Sequence, residues 1–317
     1  MATAPLCNFI TDSPCDLSKE FLEANDVRVI HFTYAEAGVD DGLSGVDDMF
    51  ETVTVHDFYD AIRLGAAPMT SQPSPAEFER VFREALATGL PSVYLTLSSG
   101  ISGCYEGACA VVERLKEEFG PDIPLYVVDS KMGSAGQALL VVEAIRQRDK
   151  GLTAPELVRW LEEARYYVQM LFVVDDLKYL ARGGRIPAGV GAVGSVLDVK
   201  AMLTFDLDGK LAMSGMARGR KKAMRKLADF YAKNHVASDY ENIVVVGNAD
   251  CADDARKFGE LLAKEIGDEN VLFVDCNIGP TIGCHVGPGM MACVCWGADR
   301  RGTAPVADRI AREVREG

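Results

Sequence analysis

The chain of 317 residues is short of positive charge: 33 Lys and Arg stand against 47 Asp and Glu, a formal net charge of −14. A surface that tracks phosphates needs Lys and Arg, so this balance argues against a nucleic-acid partner. Long hydrophobic runs are also missing. None approaches the ~18 residues that a membrane span requires, so no membrane-spanning segment is expected. "MATAPLCNFITDSP" has no basic stretch ahead of its apolar run, so the expected location is the cytoplasm. None of the nine cysteines shows CxxC spacing, which points to free thiols in a reducing compartment. Cys293 and Cys295 would share one face of a strand, but no histidine at zinc spacing accompanies them, so they read as small buried hydrophobes and no metal is expected. The phosphate-binding signatures GxxxxGK[ST] and GxGxxG after a strand are absent, and so is the GxSxG elbow of the α/β-hydrolases.

Short continuous apolar runs alternate with helical patterns. "LCNFI", "VRVIHFTYA" (Val27–Ala35), "SVYLTL" and "PLYVVD" read as strands covered on both faces. Helices are expected over Ser18–Asn25, Ser74–Thr88, Gly103–Phe119, Ala135–Lys150 and Ala154–Val168. The second carries Ser74 as cap, Pro75 in its first turn and Glu77 at capping-box spacing. Beyond residue 168 the pattern changes. "LDGK" between two apolar runs predicts an antiparallel hairpin. A basic helix over Gly219–Asn234, strands at Asn242–Asp250 and Asn270–Asn277, and a last helix from Pro305 complete the reading. The expected fold class is α/β in two domains. Residues 1–168 form an N-terminal domain with a parallel sheet, and residues 169–317 an α/β domain with a mixed sheet, with a ligand site at their interface.

Ligands of open parallel sheets bind beyond the carboxyl ends of the strands. The residues there are Thr11-Asp12-Ser13, Ser98-Ser99-Gly100 and Ser130, and the loop before the Ser74 helix adds Thr70-Ser71-Gln72. Hydroxyls beside glycines, with a helix starting near Ser102, suit a carboxylate or a phosphate. A serine nucleophile would need His31, His56, His235 or His285 as its base. His285, in the glycine-rich "TIGCHVGPGMM", is the best placed, so a Ser–His acyl hydrolase is the alternative reading.

Six stretches carry a resemblance: "ITDSPCDLS", "TSQPSPAEF", "LSSGISGCYEGA", "VVDSKMGSAGQALLV", "VDDLKYLARGGRI" and "GCHVGPGMMA". In this order they resemble the DegV family, which includes the acyl-binding (FakB) subunits of bacterial fatty acid kinase. The resemblance implies a non-catalytic carrier that binds one long-chain fatty acid such as palmitate, stearate or oleate, without a cofactor. The carboxyl would sit at the domain interface and the tail in an apolar tunnel. Thr70 and Ser99 would contact the carboxyl oxygens, with Ser98 the less favoured neighbour. Arg185 and His285 would lie near the head group. Arg218 and Lys221, in "ARGRKK", would dock the catalytic subunit of a fatty acid kinase. A lipid-sensing regulator is a further alternative. Two departures, "GCY" where GTY is common and the Cys- and Met-rich "GCHVGPGMMACVCWG", would bear on chain-length preference.

Overall fold

The computed structural model describes residues 5–39, 42–187, 189, 198–236, 242–267, 271–303 and 314. The helix expected from Pro305 lies outside them. In the first half come β1 (Asn8–Asp12), α1 (Lys19–Ala24), β2 (Val27–Ile30), β3 (Thr33–Ala35), β4 (Gly45–Val46), α2 (Val55–Arg63), β5 (Met69–Ser71), α3 (Pro75–Leu86), β6 (Ser92–Thr96), α4 (Cys104–Phe119), β7 (Leu125–Asp129), α5 (Ala135–Asp149) and α6 (Ala154–Ala164). Four strands pair in parallel in the order β2-β1-β6-β7. β1 and β6 are buried along their whole length, which is why their apolar runs are continuous rather than alternating. The Ser74 side chain accepts from the Glu77 N–H at 3.2 Å and Pro75 opens α3, as the capping signal predicts.

The run Val27–Ala35 is not one strand. It breaks at His31 and Phe32, and its second part, β3, leaves the parallel sheet to pair with β4 and β5 in a small antiparallel sheet. Neither that sheet nor α2 is expected from the sequence. The helix expected to reach Val168 ends at Ala164, because Val168 opens β8 (Val168–Val174).

The second half continues with α7 (Lys178–Arg182), β9 (Val199–Phe205), β10 (Leu211–Arg218), α8 (Arg220–Asn234), β11 (Asn242–Asn248), α9 (Ala252–Ile266), β12 (Val271–Asn277), α10 (Pro280–Val286) and β13 (Met291–Trp296). Six strands form a mixed sheet in the order β10-β9-β8-β13-β11-β12. The β9–β10 hairpin turns at Asp206–Lys210, where "LDGK" predicts it. Cys293 and Cys295 lie on one face of β13, in an apolar cluster with Tyr231 and Phe258.

One apolar cluster runs from Phe9 and Leu95 of the first sheet through α5 to Phe172, Leu203 and Val294 of the second. α10 crosses over to pack on α2, β3 and β5. Its N-terminus is held by two buried carboxylates of the first half: Asp16 accepts from the Gly279 N–H at 2.9 Å and Asp47 from the Thr281 N–H at 3.0 Å. Both acids are pushed up from their ordinary range, burial being the main cause.

Candidate functional site

Between the two sheets lies a cavity with an empty volume of about 550 Å³, mouth included. Its walls are mainly apolar. Leu97, Ile101 and Phe32 come from the first half, and Met170, Phe172, Phe205 and Leu211 from three strands of the second sheet. Its polar lining is Thr70, Ser102, Ser134, Arg185, Thr281 and His285.

Thr70, Arg185 and His285, the lining residues expected near a head group, come from different parts of the fold. Thr70 is the middle residue of β5. His285 sits in the last turn of α10, 8% exposed, with Nε2 2.7 Å from the Thr70 hydroxyl. Its Nδ1 is buried without a hydrogen-bond partner and faces the Cα of Gly183, where a Cβ would collide with it. A buried N–H with no acceptor is the costlier arrangement, so the hydrogen-bond network assigns the proton to Nε2. The imidazole then donates to Thr70, and the Thr70 O–H is left to donate into the cavity. Burial, with Arg185 and Arg182 close by, holds the His285 pKa down at about 3, so the ring is neutral at physiological pH.

Arg185 is half-buried. Its Nε donates to the Ile101 carbonyl at 3.1 Å and its Nη1 to the Gly183 carbonyl at 2.5 Å. Among the described residues no carboxylate pairs with it, and burial pulls its pKa down. Arg182 likewise binds a carbonyl, that of Cys284 at 3.2 Å. Arg185 thus brings a positive charge to the cavity lining on a chain of net charge −14. An incompletely solvated guanidinium without a counter-ion is a place for an anion.

Ser102 is the hydroxyl that sequence reasoning misses. It precedes Gly103, the uncapped N-terminus of α4, and lines the cavity. The Cys104 N–H donates to it at 3.2 Å, which leaves its own O–H available. Gln72 of the "TSQ" segment packs against Gly103 and Gly107, bringing the β5 loop to the start of α4. "LSSGIS" holds three serines, and the helix start beside the third was the available signal.

Ser98 and Ser99, expected at the carboxyl group, stand outside the cavity lining. The Ser98 hydroxyl is fully buried and donates to the Gly209 carbonyl at 2.8 Å. The Ser99 hydroxyl donates to the Asp129 carboxylate, which Lys131 also pairs at 2.8 Å. These partners hold the Asp129 carboxyl below its ordinary value against the opposing effect of burial. Neither serine lines the cavity. Asp12 is another structural residue. It accepts from Leu97 N–H (2.7 Å), Gln137 Nε2 (2.8 Å) and Tyr94 OH (3.1 Å), and burial raises its pKa to about 6. Cys104, the departure in "GCY", touches Tyr94 and Asp12 and is not part of the cavity wall, nor are Cys293 and Cys295. Met290 of the same Cys- and Met-rich segment is. Arg218 and Lys221 are both exposed, at the end of β10 and the start of α8.

Residues 7–297 match a family described as uncharacterised protein, DegV family. The chain belongs to the DegV family. A DegV domain-containing protein of Clostridium perfringens is 32% identical over 282 residues, 89% of this chain and 94% of the relative. The DegV fold recurs in solved structures. A fatty acid-binding DegV family protein of Thermus thermophilus superposes with a TM-score of 0.75 at 28% identity, covering 92% of this chain and 99% of its own. A stearic acid-binding protein of Eubacterium ventriosum gives a TM-score of 0.77 at 25% identity, covering 94% and 100%. Among the described residues of this DegV chain no helix is long and apolar enough to cross a membrane.

Proposed function

We propose that the protein binds one long-chain fatty acid, with the carboxylate at Thr70, Ser102 and Arg185 beside His285 and the tail between the two sheets. The observation that carries this reading is the half-buried Arg185, without a carboxylate partner among the described residues, in the lining of a mainly apolar cavity. The similarity to fatty acid-binding DegV proteins supports it. Burying about fourteen methylenes contributes on the order of 11 kcal/mol gross, before the costs of association. The tail therefore supplies affinity and the hydroxyls supply orientation.

The protein acts as a carrier that presents the carboxylate to a fatty acid kinase for acyl-phosphate formation. Arg218 and Lys221, exposed beside Lys222, Arg225 and Lys226, form the docking surface for that subunit. The hydrolase reading lacks a third member, because His285 Nδ1 meets Gly183 where an orienting carboxylate would be needed.

Native mass spectrometry of protein incubated with palmitate, stearate or oleate tests the reading. The expected result is one intact fatty acid per chain. Ligand-free protein under those conditions would sink it, and release of a shorter acyl product from an ester would favour the hydrolase.

A further inference from the structure

The loop after β6 holds two serines that the head group does not use, and one of them reaches across the molecule. Ser98 donates to the carbonyl of Gly209, at the tip of the β9–β10 hairpin, 111 residues further along the chain. Beside it, the backbones of the loop and the hairpin lie in direct contact. A Cβ on Gly100 would collide with the Gly209 carbonyl group and stand 2.7 Å from the Lys210 nitrogen. A Cβ on Gly209 would collide with Ser98 Oγ, and this glycine also has φ +77°. Two glycines and a serine are therefore what the crossing requires.

The residues that flank the turn, Phe205 and Leu211, both line the cavity. Each side of the seam is stiff. In the turn, Asp206 Oδ1 accepts the N–H groups of Asp208 and Lys210, each at 2.9 Å, and the Asp206 N–H donates to the Lys210 carbonyl at 2.8 Å. In the loop, the Ser98 carbonyl takes the N–H groups of Ile101 and Ser102 at 3.2 and 3.1 Å, and Asp129 ties Ser99 to Lys131. The two sides are weakly joined. Among the described residues the Ser98–Gly209 bond is the one hydrogen bond between the turn and the first sheet. Among the described residues β10 is an edge strand, with a bulge between Met213 and Gly215, so no further described strand holds it and it has a place to bend.

We infer that Ser98 and Gly100 are positioning residues: they latch the hairpin over the acyl cavity and so set the rate at which the fatty acid enters and leaves. This rests on the fatty-acid reading above. A latch differs from a wall in its kinetics. If the ligand passes only when the hairpin lifts, weakening the latch raises the association and dissociation rate constants by the same factor and leaves Kd unchanged. A damaged wall raises the dissociation rate alone and weakens Kd.

The experiment uses cis-parinaric acid, a fluorescent 18-carbon fatty acid, with stopped-flow association and displacement by excess oleate. In Ser98→Ala both rate constants should rise roughly 5-fold, the equivalent of one neutral hydrogen bond. In Gly100→Ala they should rise further, because backbone must give way. Thr70→Ala serves as the contrast, with faster dissociation, unchanged association and a weaker Kd. Wild-type rates in both Ser98→Ala and Gly100→Ala would overturn the latch while leaving the fatty-acid reading intact, as would a weakened Kd with unchanged association. Wild-type protein that takes up no parinaric acid overturns the fatty-acid reading and this inference with it.

Discussion

The Thr70 hydroxyl and His285 Nε2 lie 2.7 Å apart although 215 residues separate them in the chain. One comes from a three-residue strand of the small antiparallel sheet and the other from the last turn of α10. A neutral imidazole donating to Thr70 fixes the direction of the threonine O–H and turns it toward the cavity.

Removing the two available hydroxyls should cost carboxylate recognition more than tail burial. A hydrogen bond to a charged group contributes roughly 1.5–3 kcal/mol. Thr70→Ala and Ser102→Ala should each weaken palmitate binding roughly 10- to 150-fold by calorimetry. Binding of methyl palmitate, which has no charge to hold, should change far less. Equal losses for acid and ester would remove both residues from the head-group site.

Gly183→Ala should act through His285. Gly183 has φ −71°, so alanine meets no backbone strain there. Its Cβ would instead collide with Nδ1 and push the imidazole off Thr70. Forcing an extra methyl into a packed site costs about 1–3 kcal/mol. The expected signature is a lower melting temperature together with weakened fatty acid binding. Wild-type affinity in a folded variant would show that the Thr70–His285 pair is dispensable.

The dependence of stability on pH has a definite sign. His285 titrates at about 3 in the folded protein and near 6.5 in an unfolded chain. Between those values the unfolded chain binds the proton first, so its contribution to stability falls as pH drops below about 6.5, by about 1.4 kcal/mol per pH unit. Asp12 works in the opposite sense. Its pKa is raised from 3.8 to about 6, so its contribution falls as pH rises through that window. Comparing wild type with His285→Gln isolates the first effect. The difference in unfolding free energy should be flat above pH 7 and should slope below 6.5. A difference independent of pH from 4 to 8 would mean that His285 is not buried neutral.

Arg218→Glu should spare lipid binding and impair presentation. Arg218 is exposed and is not among the residues that line the cavity. Charge reversal on a docking surface slows association and misaligns the complex. If a fatty acid kinase docks on the basic cluster as proposed, acyl-phosphate formation should fall roughly 10-fold or more at limiting kinase, an estimate for loss of a rim charge plus a repulsion. An unchanged rate would leave the basic cluster as a solvated helix face.

Much of the fold was legible because its signals are local. Continuous apolar runs gave the buried strands, Ser74-Pro75 gave the start of α3, and "LDGK" gave the hairpin. The small sheet was not legible, since β4 has two residues and β3 and β5 three each, too few to show a period. α2 did carry a signal, the Thr54 cap that accepts from the Asp57 N–H at 3.1 Å. At the cavity, the resemblance points to Thr70, Arg185 and His285, and all three are among its lining residues. Of the three serines in "LSSGIS" only Ser102 lines the cavity, and residue type alone does not tell which of three neighbouring hydroxyls faces inward. Ser98 and Ser99 have partners at Gly209 and Asp129 that only the tertiary structure reveals.

The two carboxylates that hold the start of α10 also fix when the site can come into being. Asp16 and Asp47 are made early, whereas Gly279, Thr281 and His285 are among the last parts of the described chain to leave the ribosome. Until then Thr70 has no imidazole beside it, β8 lacks its β13 neighbour, and two acids await the helix end that will satisfy them. A nascent chain can complete its parallel sheet by residue 129, but the cavity lacks His285 until some 160 residues later. Neither half alone supplies the whole lining of the cavity.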